Sequence, residues 1–593
     1  MVNVFEKNPD DRKKNSRSAS NEYNLPGWAS ISVRCVIIVA AVFWIYWPGL
    51  RGYWVWDDVM YIADNPLLKD PMRVWKAWFQ PGSFVEYYPL EQTVQWFQWK
   101  CFGDDTLGYH LTNVVLHCTN ALLVWRLFHK LGLRLAWLGG LIFAIHPVTV
   151  ESVAWISELK NTLSLPPLLC AMCAWVALEN RGALHDYFVA LAFFIIAMLC
   201  KISAAPFFAV ILLYAWWRRG RLGLHDVIRS IPFFVIGAGL SLISAYASSL
   251  YMKTQTQPAD VPQIGGFIDH VFLSTQTLSV YFFKCFWPVD LMPIYPQWKI
   301  DAYAVWAFLP GFAWIGVIYF LWRNRATWGR HALLGLGFFI LFLGPFLGLI
   351  SISYLSFSWV MDHLLYLPII GLIGVVVAGA EEVKLLKTSS VRPFILGILT
   401  IILGLFAIGS HRYVTVFTDD EAFWTYIVLH NPQLAGAHAN LGEIFLKTNQ
   451  PEQALAQFEE SIRLKPQMAG PYVSLATAFL QLGRIPEATD ALRKSLEEDP
   501  GNPEANNNMA LLLDHMGNSE EAIAHLKRAL ESRPNYLDAH KNLGHLFQET
   551  GHPAEAIEQF QLALKISPAD ATALENLEQL QPEGEPPANT PGR

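Results

Sequence analysis

From about residue 30 to residue 410 the chain reads as apolar runs of roughly 17 to 24 residues separated by short polar connections, the length at which a helix crosses the hydrocarbon core of a bilayer. The runs lie near 30–48, 109–128, 133–148, 162–178, 185–200, 203–217, 227–247, 303–322, 331–352, 363–380 and 393–410, and they predict about eleven crossings. A further stretch, 267–286, holds Ser274, Thr275, Gln276, Thr277 and Ser279 and predicts a re-entrant or interfacial helix. The polar residues before the first run carry Lys7, Arg12, Lys13, Lys14 and Arg17, and no small-residue cleavage site follows that run. It reads as a retained signal-anchor with the N-terminus in the cytoplasm. Arg126, Lys130 and Arg134, then Arg181, then Arg218, Arg219 and Arg221, then Arg323, Arg325 and Arg330, then Lys384 and Lys387 fall in alternate connections and keep that orientation, which places the C-terminus outside.

After residue 410 the pattern changes to a repeat. Pro432, Pro466, Pro500, Pro534 and Pro568 are evenly spaced, and Leu441, Leu475, Met509 and Leu543 keep the same period of 34 residues. Ala454, Ala488, Ala522 and Ala556 share it, as do Phe458, Leu492, Leu526 and Phe560. Gly483, Gly517 and Gly551, with Asn449 in the first repeat, mark the turns within each unit. The period is that of tetratricopeptide repeats, antiparallel helix pairs in which small alanines allow close approach. The expected fold class is therefore all-α: a polytopic membrane helix bundle followed by an α-solenoid. The expected segments are a cytoplasmic stretch 1–28, a membrane domain 29–410 with a large loop 49–108, a linker helix 411–431, four repeats with a capping helix over 432–580, and a disordered tail 581–593. His438, His525 and His540 read as surface residues of the array.

Composition supports the division. Of 593 residues, 53% are apolar and 14% aromatic, too rich for an ordinary soluble protein. Residues 411–593 hold 26 acids against 13 Lys and Arg, and an acidic array is a poor partner for nucleic acid, whose phosphates require positive charge. Of the seven cysteines, only Cys101 lies in a clear loop, and Cys170 and Cys173 sit inside an apolar helix, so neither a disulfide framework nor a metal knuckle is expected.

Candidate chemistry gathers at one rim of the bundle. "WDD" at 56–58 opens a loop of about sixty residues, far longer than a connector needs. Within it "DPMRVWKAWF" (70–79) and "LEQTVQWFQWKCFG" (90–103) suit amphipathic helices in the headgroup layer. His110, Asn113, His117 and Asn120 form a polar stripe on one helix, either packing glue or the lining of a cavity. The predicted topology puts Asp57, Asp58, His146, Glu151, Lys160, Lys201, Asp362 and His363 on the same outer face. Singly each reads as a cap or a snorkelling side chain; together they suit a phosphate or a divalent cation.

The segments WDD (56–58), "YYPL" (87–90), "GYHLTNVVLH" (108–117), "FAIHPVTVESVAW" (143–155), "KNTLS" (160–164) and "MDHLLYLP" (361–368), with the repeats after them, resemble the transmembrane and tetratricopeptide-repeat glycosyltransferases. These are GT-C enzymes related to the eukaryotic TMTC O-mannosyltransferases, and a bacterial member is expected. The resemblance covers both halves of the chain in the same order. It departs at Tyr88, Lys160 and His363, near places where the relatives carry arginine, which puts the donor's identity in doubt. It implies an inverting transfer of a sugar, with mannose one candidate, from a polyprenyl-phosphate donor to a hydroxyl of a protein acceptor held by the repeats. Asp58 or Asp57 would be the base, Asp58 slightly favoured; Lys160, Lys201 and His363 would hold the phosphate, with His146, Glu151 and Asp362 at the rim. A divalent cation (Mg or Mn) on Asp57, Asp58 and Glu151 is the alternative use of the acids. The implied setting is the bacterial inner membrane with the repeats outside, or the endoplasmic reticulum with lumenal repeats. A non-catalytic scaffold, an oligosaccharyltransferase and a flippase for lipid-linked sugars are the rival readings.

Overall fold

The computed structural model describes residues 27–254, 264–300, 305–349, 353–382 and 391–580. The basic N-terminal segment, Lys384, Lys387 and the tail after 580 lie outside the described residues. Within those described, every regular element is helical, and the chain divides into two compact units, 1–430 and 431–593.

In the first unit seven helices are long and apolar enough to cross a bilayer: Ala29–Tyr46, Thr106–Lys130, Ile156–Arg181, Leu224–Met252, Trp306–Arg323, Gly329–Phe346 and Arg392–Phe417. An eighth arises if Ala136–Ile145 and Pro147–Ala154, bent by 60°, form one broken span. Among the described residues seven or eight helices thus have the length and apolarity of a crossing, against the eleven expected. The segments expected near 133–148, 185–200, 203–217 and 363–380 form helices of 10, 17, 13 and 14 residues. Two of these are cut short by identifiable chemistry. Pro147 cannot donate a backbone hydrogen bond, and Lys201 adopts an extended conformation (φ −163°) where Leu184–Cys200 ends. Phe267–Phe286 is a helix but is not among the bilayer-length apolar ones.

The polar stripe on Thr106–Lys130 is packing glue. Tyr366 OH donates to His117 Nδ1 at 2.9 Å while His117 Nε2 donates to the Ala144 carbonyl at 3.1 Å. Asn120 Nδ2 donates to Thr162 O at 2.9 Å, and Asn113 bonds both Trp155 O and the Thr162 hydroxyl. These bonds tie three consecutive helical segments together where apolar contacts alone specify little in lipid.

The second unit is four helix pairs: Ala435–Lys447 with Pro451–Leu464, Ala469–Gln481 with Ile485–Glu498, Pro503–His515 with Ser519–Ser532, and Leu537–Glu549 with Pro553–Ile566, followed by Ala571–Leu580. Each pair turns on a left-handed residue, Asn449 at φ +59°, then Gly483, Gly517 and Gly551 at +72°, +83° and +80°. Ala454, Ala488, Ala522 and Ala556 are fully buried at the helix contacts. His438 and His540 are not surface residues as expected; each is only 5% exposed. His540 Nε2 donates to the Pro534 carbonyl at 2.9 Å and its Nδ1 pairs with the Gln559 amide at 2.8 Å, and His438 does the same with Pro432 and Gln457. Asn506, one period earlier than His540, fills the role with Pro500 O and His525. These polar side chains fasten the first, third and fourth repeats to the proline-bearing turns that start them.

His540→Ala should therefore destabilise the repeat unit by about 1–3 kcal/mol, the cost of stranding buried partners, whereas His552→Ala on the exposed surface should change it by less than about 0.5 kcal/mol. Site-resolved hydrogen exchange on the full chain measures both.

Candidate active site

The loop after the first span is built around a half-buried tryptophan. Trp56 has φ +48°, a conformation costly for a bulky side chain. It persists because its ring stacks on Trp155 (5.5 Å between centroids, 11° between planes) and packs against Phe423 and Trp424. Its N–H also donates to Asp420 Oδ1 at 2.7 Å. The turn delivers Asp57 and Asp58 in different directions.

Asp58 points inward and is buried. Its Oδ2 accepts from Val55 N at 3.1 Å, and its Oδ1 accepts from Ser157 N at 2.8 Å and from the Ser157 hydroxyl. Burial pushes its carboxyl up to about 7 despite these bonds. Asp57 is half-buried and accepts no hydrogen bond from the described residues. Burial pushes it up to about 6, opposed by the Lys160 ammonium and reinforced by Glu158. Three donors thus occupy Asp58, the slightly favoured base of the two expected, while Asp57 accepts no hydrogen bond from the described residues.

Facing Asp57 is a cluster at the start of the helix Leu159–Arg181. Lys160 Nζ lies 3.7 Å from Glu158 and 3.5 Å from Glu86. Buried Glu158 is also bonded by Asn161 Nδ2, and Lys201 donates to Asn161 Oδ1 at 2.6 Å while lying 3.9 Å from Glu158. Lys201 is thus consumed in neutralising Glu158, and Lys160 is the more open cation, its side chain 26% exposed against 8% for Lys201. A second layer stands behind. Glu151 Oε1 pairs with His363 Nδ1 at 2.6 Å, and the His363 N–H donates to the other oxygen of Glu151. The His363 carbonyl accepts from Ser152, which joins this pair to Asn161.

Two of the rim residues do not join the site. Asp362 is buried and accepts from Tyr295 OH at 2.9 Å, with burial holding its carboxyl well above the ordinary range. His146 caps the turn Pro147–Thr149 by accepting from Val148 N at 3.3 Å, and its Nε2 donates to Cys285 O at 3.0 Å. Both fasten chain segments together. Glu86, Glu158 and Asn161 complete the cluster and were not singled out in the sequence; adjacency to Lys160 in "SELKN" was the only signal for two of them, and Glu86 had none.

Among the described residues no three His, Cys, Asp or Glu side chains are grouped as a metal ion requires. The trio Asp57, Asp58 and Glu151 does not fit a divalent cation, because three donors occupy Asp58 and His363 takes both oxygens of Glu151.

Residues 89–248, which include Glu151, Glu158, Lys160 and Lys201, match the family described as dolichyl-phosphate-mannose-protein mannosyltransferase. Residues 439–503 and 502–569 match tetratricopeptide repeats. The chain is an integral membrane protein that joins a mannosyltransferase-like helical region to a tetratricopeptide array. Among curated proteins it is 32% identical to a protein O-mannosyl-transferase of Caenorhabditis elegans over 23% of this chain and 21% of that one. It is 23% identical to protein O-mannosyl-transferase TMTC4 of Homo sapiens over 70% of this chain and 64% of that protein. The chain thus spans less than two thirds of these relatives. Among solved structures, MamA is 21% identical over 25% of this chain and 86% of its own, with a TM-score of 0.23.

The two aspartates should separate by stability. Asp58→Ala strands the buried Ser157 and Val55 donors and should cost about 1–3 kcal/mol, while Asp57→Asn should change stability by less than about 0.5 kcal/mol. Thermal unfolding of the purified protein in detergent reads the difference.

Proposed function

We propose that the chain is a membrane O-mannosyltransferase that moves mannose from a polyprenyl-phosphate donor to a hydroxyl of a protein acceptor. The observation that carries this reading is Asp57, a half-buried carboxylate that accepts no hydrogen bond among the described residues and lies within electrostatic reach of Lys160. Similarity to protein O-mannosyl-transferases supports the reaction class and the sugar.

An alcohol is a weak nucleophile at neutral pH, so its proton must leave as the new bond forms. Asp57 takes that proton. The acceptor oxygen bonds to the sugar's C1, the bond from C1 to the phosphate oxygen breaks, and polyprenyl phosphate departs with the electron pair. One displacement inverts the anomeric centre. Lys160 stabilises the charge that gathers on the leaving phosphate. A single open ammonium among the acids Asp57, Glu86 and Glu158 suits the one charge of a phosphodiester better than a pyrophosphate. No step is routed through a divalent cation.

The repeats bind the acceptor polypeptide and raise its effective concentration. The basic residues of alternate connections support a membrane setting with the acid cluster on the outer side, and the setting proposed is a bacterial inner membrane.

Membranes carrying the chain should transfer radiolabelled mannose from polyprenyl-phosphate mannose to protein. Asp57→Asn should reduce this by at least about 100-fold. Absence of transfer by the parent with this donor would overturn the proposal. The base must be ionised to act, so the rate should rise with pH through about 6 and flatten above it. Chelator should leave transfer intact, and its loss would mean that a cation arrives with the donor.

A further inference from the structure

Glu86 is the more exposed of the two carboxylates that pair with Lys160. Its Oε2 lies 3.5 Å from Lys160 Nζ, and its Oε1 accepts from Tyr88 OH at 3.1 Å. The other carboxylate on Lys160, Glu158, is buried and held by Asn161 with Lys201 close by, so it stays in place whether or not Lys160 is present. Glu86 differs in kind. Its side chain is 42% exposed, ten times the 4% of Glu158.

The backbone around Glu86 is fastened, whereas its half-exposed side chain is held only by Tyr88 OH and Lys160. Ser248 Oγ donates to the Val85 carbonyl at 2.6 Å, and Tyr87 N donates to Ser244 Oγ at 3.4 Å. Tyr87 OH reaches Trp78 O at 3.0 Å. Gly82, at φ +93°, lets the segment lie against Leu250, where an added Cβ would sit 2.7 Å from the leucine. The peptides on both sides of Glu86 are therefore pinned to the helix Leu224–Thr254. The carboxylate can swing on its own rotatable bonds without moving the segment that bears it.

We propose that Glu86 is a placeholder for the donor phosphate: it holds the Lys160 ammonium in the empty site and is displaced when the anionic donor binds. Lys160 accepts one open-side anion at a time, because its other side is closed by Glu158. In the empty site the placeholder keeps a partly desolvated ammonium paired and oriented. A neutral lipid has no charge with which to displace it, so the same contact selects for anionic lipids. Each binding event gives up the Glu86 ion pair, and affinity for the donor is reduced by what that partly exposed pair contributes, about two- to five-fold. The inference rests on the proposed role of Lys160.

The test uses the full chain in nanodiscs and two probes, polyprenyl-phosphate mannose for turnover and polyprenyl phosphate alone for binding. Glu86→Gln should lower the KM for the donor by about two- to five-fold and tighten polyprenyl phosphate binding by the same factor. The change should sit in KM and not in kcat. Glu86→Asp, which keeps the charge, should lie nearer the parent, and Lys160→Gln should abolish the effect of Glu86→Gln. A KM and a dissociation constant that stay put or rise in Glu86→Gln overturn the placeholder, even if the parent transfers mannose normally. No mannose transfer, but polyprenyl phosphate binding that depends on Lys160 and tightens in Glu86→Gln, retains the placeholder and overturns the transferase. No binding of polyprenyl phosphate by parent or variant overturns the placeholder as well.

Discussion

The candidate site depends on a carboxylate that is not free to react. Asp58 ties the loop after the first span to the turn that begins the helix bearing Lys160, through the amide and hydroxyl of Ser157. The bond draws a charged group into the interior, which is costly, and three donors offset that cost. Trp56, held in a left-handed conformation by Trp155, Phe423 and Trp424, sets the chain direction just before it. Between those constraints Asp57 lies within electrostatic reach of the Glu158–Lys160 cluster.

Adjacent residues of one type thereby acquire different properties. Both aspartates are shifted upward by burial, yet one accepts from three donors and the other from none among the described residues. A base needs a lone pair that is not already in use, so the division follows from hydrogen bonding and not from the size of either shift. The same logic sorts the cations. Lys201 is spent on Asn161 and Glu158, which leaves Lys160 as the charge that an incoming anion can meet. Glu151 and His363, expected at the rim to meet the donor phosphate or a cation, satisfy each other and brace the cluster from behind.

Polar groups elsewhere in the chain do comparable structural work. The His117–Asn120–Tyr366 network joins membrane helices that have no hydrophobic driving force to join them, and His438, Asn506 and His540 fasten three of the four repeats to their prolines. The histidines of the array looked like surface residues because a 34-residue period reveals only repeated residue types. The series His438, Tyr472, Asn506, His540 changes type at each step, so its shared position is hidden in the letters.

The sequence by itself determined the helical class, the two-part organisation, the position of each repeat and the neighbourhood of the acids. Those features follow from local periodicity and from the cost of exposing apolar surface or burying charge, which every segment carries with it. Which donors hold Asp58, how Glu151 and His363 pair, what His146 and Asp362 bond and how Glu86 meets Lys160 were decided by tertiary structure. Each depends on which donor meets which acceptor across a separation such as the 99 residues between Asp58 and Ser157, and the 74 between Glu86 and Lys160. A hydrogen bond is a property of a pair, and the sequence names the partners without saying which of them will meet.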